Sequence, residues 1–196
     1  MPLAIRSRAQ RNGRGALVPS KGFTHEKAYE GESNDWITPR HIIAALESAG
    51  GPFDLDPCAS LTQPWPTAKR MLTIADNGLL AEWPLGCSVY CNPPYGPHVG
   101  AWLEKLAHHG NGIALVFART ETLAWQGFVF GDRSPWARAS AVLFLHGRLR
   151  FARPDGTIPT QSAGSPSALV AYGESSASRL RGCGLRGGLV SLGGAK

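Results

Sequence analysis

The sequence predicts an α/β fold, a compact and mostly parallel sheet with helices on both faces. Three observations predict it. Short apolar runs that suit strands alternate with segments of helical period between residues 34 and 173. Two of those runs, 112–117 and 139–145, have hardly a polar break, as expected of strands buried on both faces. The residues directly after the strand candidates are short polar clusters, and in such sheets ligands sit at the carboxyl ends of strands.

Each element follows from local chemistry. Residues 39–49 form a helix with Ile42, Ile43, Ala45 and Leu46 on one face. Thr38 stands as its N-cap, Pro39 at its first position, and Gly50-Gly51 as its stop. Residues 53–56 are a short strand ended by Pro57. Pro64, Pro66 and Pro84 break up 60–86, leaving room for a short strand at 71–74 and a helical turn at 79–83. Residues 89–91 are a strand. Residues 99–108 form a helix with Trp102, Leu103 and Leu106 on one face. A strand at 112–117, a helix at 122–130 and strands at 139–145 and 167–172 complete the series. Only about 35 residues separate the first strand's turn from Asn92, fewer than two full strand–helix units need. One intervening strand should therefore be short or missing.

Composition narrows the class. The 196 residues are 43% hydrophobic, enough for one domain with a real core. No apolar run approaches the roughly 20 residues that span a bilayer, and the N-terminus lacks the apolar core of a secretory signal. The expectation is a cytoplasmic protein with no membrane partner. The cysteines (Cys58, Cys87, Cys91, Cys183) lack a second pair at zinc-ligand spacing. They read as reduced thiols, and no metal is expected. The net charge is +6, and its basic surplus lies at the ends. Residues 1–33 read as a flexible basic segment, 174–196 as a flexible tail rich in Gly, Ser and Arg, and 34–173 as the single folded domain. Basic ends hold phosphate backbones or simply remain solvated.

The chemistry concentrates in Asn92-Pro93-Pro94-Tyr95, where a strand meets an amide, two rigid residues and a ring. Proline fixes φ, and Pro94 forces Pro93 into an extended conformation. The Pro93 carbonyl therefore has a defined direction. The Asn92 side chain adds a second acceptor, and Tyr95 adds a ring face. Two fixed acceptors beside an aromatic face suit a flat substrate bearing an NH2 group. A strand followed by a proline-rich turn is the plain alternative for these four residues alone.

Asn92 to Tyr95 resembles the NPPY motif of S-adenosylmethionine-dependent amino-methyltransferases. Most of 34–173 is similar to the phage and prophage family of DNA N6-adenine methyltransferases. The matching pieces are Asp35-Trp36 with Thr38-Pro39, the run from Phe53 to Ala59, Asp76-Asn77-Gly78-Leu79 with Trp83, and Cys91 to Gly96. Further pieces are Arg119 to Thr122 with Trp125, Gly147 to Phe151, and Pro166-Ser167-Ala168.

The resemblance implies a single Rossmann-like methyltransferase domain, encoded by a phage or prophage, that moves a methyl group from S-adenosylmethionine to N6 of adenine in DNA. Asn92, Pro93, Pro94 and Tyr95 would be catalytic, with the adenine flipped out of the duplex to reach them. Trp36, Thr38, Pro39, Asp56, Pro57, Cys58, Ala59 and Asp76 would bind the cofactor. The usual glycines of the motif I turn are absent, with Cys58-Ala59-Ser60 in their place. Arg119, Arg148 and Arg150 would touch DNA. Arg148 and Arg150 would share one face of an extended segment, with a solvated hairpin as the plain alternative. Phe151 reads as a core residue more readily than a base-stacking one. Methylation of RNA adenine or a protein glutamine amide, or an inactive nucleic-acid-binding descendant, are the competing readings.

Overall fold

A computed structural model describes residues 36–132 and 135–193. In chain order its elements are α1 (Arg40–Gly50), β1 (Leu55–Asp56), β2 (Arg70–Met71), β3 (Val89–Cys91), α2 (Val99–His109), β4 (Gly112–Phe117), α3 (Leu123–Phe128), β5 (Ala141–Leu145), β6 (Ser167–Tyr172), α4 (Glu174–Gly182) and β7 (Gly187–Ser191). The expected basic segment 1–33 lies outside the described residues.

The strands form one sheet of order β2-β1-β3-β4-β6-β5-β7. Pairing is parallel from β2 to β4, then antiparallel for β4–β6, β6–β5 and β5–β7. The expected mostly parallel sheet is therefore corrected to a mixed one. The first five strands share a direction, whereas β6 and β7 run against it. The physical reason lies in residues 146–166, which carry no helix. A parallel return needs a crossover to the opposite edge. This connection stays at the edge where β5 ends, so β6 must run back between β4 and β5.

Helices cover both faces. Successive strand residues alternate between two cores, as the period of a strand requires. Tyr90, Ile113, Leu115, Leu143 and Leu169 face α1 and α4 through Ile42, Leu46, Ala177 and Leu180. Val89, Cys91, Ala114, Val116, Val142 and Val170 face α2 and α3 through Trp102, Leu103, Leu106 and Trp125. The expected short strand between β1 and β3 is β2, two residues long and reached without an α-helix.

Several local expectations change. Pro39, not Thr38, is the N-cap of α1. The Thr38 hydroxyl instead lies 2.7 Å from the buried Tyr90 hydroxyl. The strand expected at 71–74 gives way after Met71 to a 3-10 turn at Ile74–Asp76. The helical turn expected at 79–83 is an irregular turn held from outside by Lys105.

The expected tail is corrected most. Residues 174–191 carry α4 and β7. Arg179 fastens α4: its guanidinium lies 4.1 Å from the Phe53 ring centre and donates to the carbonyls of Gly50 and Gly51 at 2.6 and 3.0 Å. Gly187 lets β7 close on β5, because a Cβ there would fall 2.2 Å from the Phe144 carbonyl. Glycine and serine that suggest flexibility in sequence here permit close packing.

Candidate active site

The chain moves from β1 to β2 on one side of the sheet and to β3 on the other. The carboxyl ends of β1 and β3 thus flank a topological switch point, where open α/β sheets form their ligand crevice. A cavity of about 420 Å³ opens there, within the size range of small-molecule and cofactor sites. The turn Asp56-Pro57-Cys58-Ala59 lines one wall, and Asn92-Pro93-Pro94-Tyr95 lines another. Trp36 and Thr38 complete the predicted lining.

The turn after β1 is built around Asp56, which is 2% exposed. Its Oδ1 accepts from the Cys58 amide at 3.0 Å, and its Oδ2 accepts from the Thr67 hydroxyl. Burial raises its carboxyl to about 6, against the lowering effect of those donors. Two main-chain bonds strap the turn to residue 72: Ala59 N–H to the Leu72 carbonyl, 2.8 Å, and Leu72 N–H to the Asp56 carbonyl, 2.7 Å. The Cys58 and Cys91 sulfurs lie 3.5 Å apart. Burial and that neighbour push the Cys58 thiol well up, so it stays protonated and weakly nucleophilic at neutral pH.

The turn after β3 presents its acceptors in a fixed way. Asn92 Nδ2 donates to the Trp36 carbonyl at 2.5 Å. A carbonyl only accepts, so the amide cannot turn round, and Oδ1 must point the other way. The Tyr95 hydroxyl donates to that Oδ1 at 3.3 Å. Burial pushes the Tyr95 phenol far up, so it remains a donor. No hydrogen bond occupies the Pro93 carbonyl among the described residues. One face of Tyr95 stacks on Phe117 at 4.0 Å and 15°, and the residue also lines the cavity. Phe151 is buried edge-on to Trp36 and Tyr95 at 5.7 and 5.9 Å, a core position as expected.

The segment 36–38 is pinned over this turn. Ile37 bridges Ala152, the Trp65 indole donates to the Thr38 carbonyl at 3.0 Å, and Thr38 meets Tyr90. These long-range bonds explain how Trp36 reaches the Asn92 amide.

Not every predicted residue joins the cavity. Pro39 stands outside the lining, as does Asp76. Asp76 Oδ2 instead accepts from the amide and hydroxyl of Thr73, closing the 3-10 turn. Its neighbour Asn77 lines the cavity in a left-handed conformation, φ 48°. Gly78 beside it is pressed against the first wall: a Cβ there would lie 1.8 Å from the Pro57 carbonyl. Lys105 donates to the carbonyls of Gly78, Leu79 and Ala81 at 3.2, 2.7 and 2.6 Å and lies 4.7 Å from the Trp83 ring centre. Sequence reasoning missed Leu61, Thr73, Ile74 and Asn77 in the lining. An available signal was the isolated apolar residues between prolines: Leu61 and Ile74 are exposed at the mouth, as is Trp36.

Arg119, Arg148 and Arg150 lie outside the cavity, exposed at the carboxyl ends of β4 and β5. Leu149 and Phe151 between and after the last two are buried, so the expected alternation holds. No carboxylate pairs with these three arginines among the described residues. No group of three or more His, Cys, Asp or Glu among the described residues is placed to hold a metal ion. No described helix is long and apolar enough to cross a membrane.

Fold and site together define an α/β protein with a ligand cavity at the switch point of its sheet. The family model described as DNA N-6-adenine-methyltransferase (Dam) matches residues 26–179, and the chain belongs to that family. It is 31% identical over 93 residues to a DNA N-6-adenine-methyltransferase of Escherichia phage T1, a match covering 46% of this chain and 38% of that protein.

Proposed function

We propose that the protein transfers a methyl group from S-adenosylmethionine to N6 of adenine in DNA, in a Rossmann-like domain of the cytoplasm. The carrying observation is the fixed pair of acceptors: Asn92 Oδ1, held by the Trp36 carbonyl, and the unoccupied Pro93 carbonyl. The adenine N6 lone pair is delocalised into the ring and is a poor nucleophile. Two acceptors that take both amino hydrogens favour a more tetrahedral nitrogen with a localised lone pair. Their dipoles are set before substrate arrives, so the reaction does not have to reorganise them. No general base is needed: the new N–C bond would form as the donor's methyl–sulfur bond breaks with its electron pair kept by sulfur, and the surplus N6 proton would then pass to solvent. Tyr95, which lines the cavity, stacks on the flipped base.

The cavity fits the proposed methyl donor. Its volume, the exposed apolar rim of Trp36, Leu61 and Ile74, and the buried Asp56 carboxylate suit an adenosyl group carrying an ammonium. When bound, S-adenosylmethionine supplies an electrophilic sulfonium methyl. Asp56, which lines the cavity, would hold its ammonium, and the neutral Cys58 thiol would not compete for the methyl.

The test is incubation of purified protein with labelled S-adenosylmethionine and unmodified DNA, followed by digestion to nucleosides. Labelled N6-methyl-2′-deoxyadenosine is expected. Label in a protein glutamine or only in RNA would replace this reading, and cofactor-independent DNA binding with no label would end it. Asn92→Ala should reduce transfer by about 100-fold or more, with cofactor affinity by calorimetry changed little.

A further inference from the structure

We infer that the DNA backbone lies across the carboxyl edge of the sheet on a basic ridge that ends at Arg186, just before β7. The inference rests on the proposed action on DNA and gives the path of the duplex. Arg119 follows β4, and His146, Arg148 and Arg150 follow β5. β7 runs antiparallel to β5, so its start returns to that same edge. The His146 amide donates to the Arg186 carbonyl at 2.9 Å, setting Arg186 beside the end of β5. Arg119, Arg148, Arg150 and Arg186 are all exposed, and none pairs with a carboxylate among the described residues. Arg181, at the end of α4, is instead paired with Glu174 and adds no net charge.

The placement has a length. β7 lies four strand positions from β3, about 19 Å at a spacing of about 4.8 Å. That equals roughly five to six steps of about 3.4 Å along a DNA strand. A base flipped at Asn92 would thus put the phosphates on one flank over Arg119, then over Arg148, Arg150 and Arg186. Unpaired guanidiniums suit phosphate oxygens. Leu149 and Phe151, anchored in the core, hold the segment that presents Arg148 and Arg150.

The experiment measures binding of a fluorescent 30-base-pair duplex to the full chain over a salt series. Arg186→Gln and Arg148→Gln should each lower the slope of log K against log salt by about 0.9. Arg138→Gln removes an exposed arginine before β5, at the opposite edge of the sheet, and should leave the slope unchanged. Circular dichroism of each variant checks the fold. A slope for Arg186→Gln equal to that of the parent or of Arg138→Gln would overturn the ridge, even if DNA is methylated. Loss of slope on the ridge without any N6-methyladenine would keep the ridge and sink the proposed activity instead.

Discussion

Asp56 holds a carboxyl where water hardly reaches, and its titration is the most direct probe of the cavity. Burial raises it from 3.8 to about 6. The folded protein therefore keeps a proton between those values that the unfolded chain gives up. Asp56 makes the ligand-free protein most stable below pH 4, less stable as pH rises to 6, and unchanged above, a difference of about 3 kcal/mol. Asp54 acts with the opposite sign in a separate window: its bonds to Lys69 and Ser88 lower it to about 2, so its contribution is lost as pH falls below 4. Urea unfolding of Asp56→Asn should accordingly gain on the parent between pH 4 and 7. An ammonium beside Asp56 favours the ionised form, so cofactor affinity should rise about tenfold per unit up to pH 6 and then level. Calorimetry across that range with Asp56→Asn as reference reads this, and a flat profile for the parent would remove Asp56 from the ammonium site.

The turn at 77–81 matters as an element more than any one of its residues. Asn77 faces the cavity because Gly78 packs without a side chain on the Pro57 carbonyl and Lys105 gathers the next carbonyls. Lys105→Met leaves those carbonyls without their cation and should cost about 2 kcal/mol in chemical denaturation, with cofactor binding weakened several-fold. Gly78→Ala must push two cavity walls apart and should weaken the cofactor more than it weakens DNA binding, read by parallel titrations. The existence of this turn was legible in Asp76-Asn77-Gly78; its anchor was not. Lys105 lies on α2, a helix read only for its apolar face, and nothing in its spacing pairs it with residue 78. Asp76 shows the converse, since a carboxylate three residues after Thr73 is also a cap, and the cap claims it.

At the scale of the molecule, the final helix and strand complete the sheet. α4 covers Ile113, Leu143 and Leu169 on one face, and Arg179 ties it to the end of α1. A chain ending at Gly173 should unfold or aggregate, because it bares that core and leaves β5 as an unprotected edge; soluble yield and thermal melting would report it. Arg179→Ala should lower stability by about 2–4 kcal/mol for the same reason, leaving two carbonyls and a ring face without their partner. Local sequence sufficed for the α/β class, the strands 89–91, 112–117 and 167–172, and the acceptor turn Asn92-Pro93-Pro94-Tyr95. Each is written in neighbouring residues: apolar runs make strands, and prolines fix the chain that follows. Only the tertiary structure decided the direction of β6, the order within α4 and β7, and the contact that fixes the orientation of the Asn92 amide. Those depend on where the chain returns, and on a carbonyl 56 residues away, which local propensity does not encode.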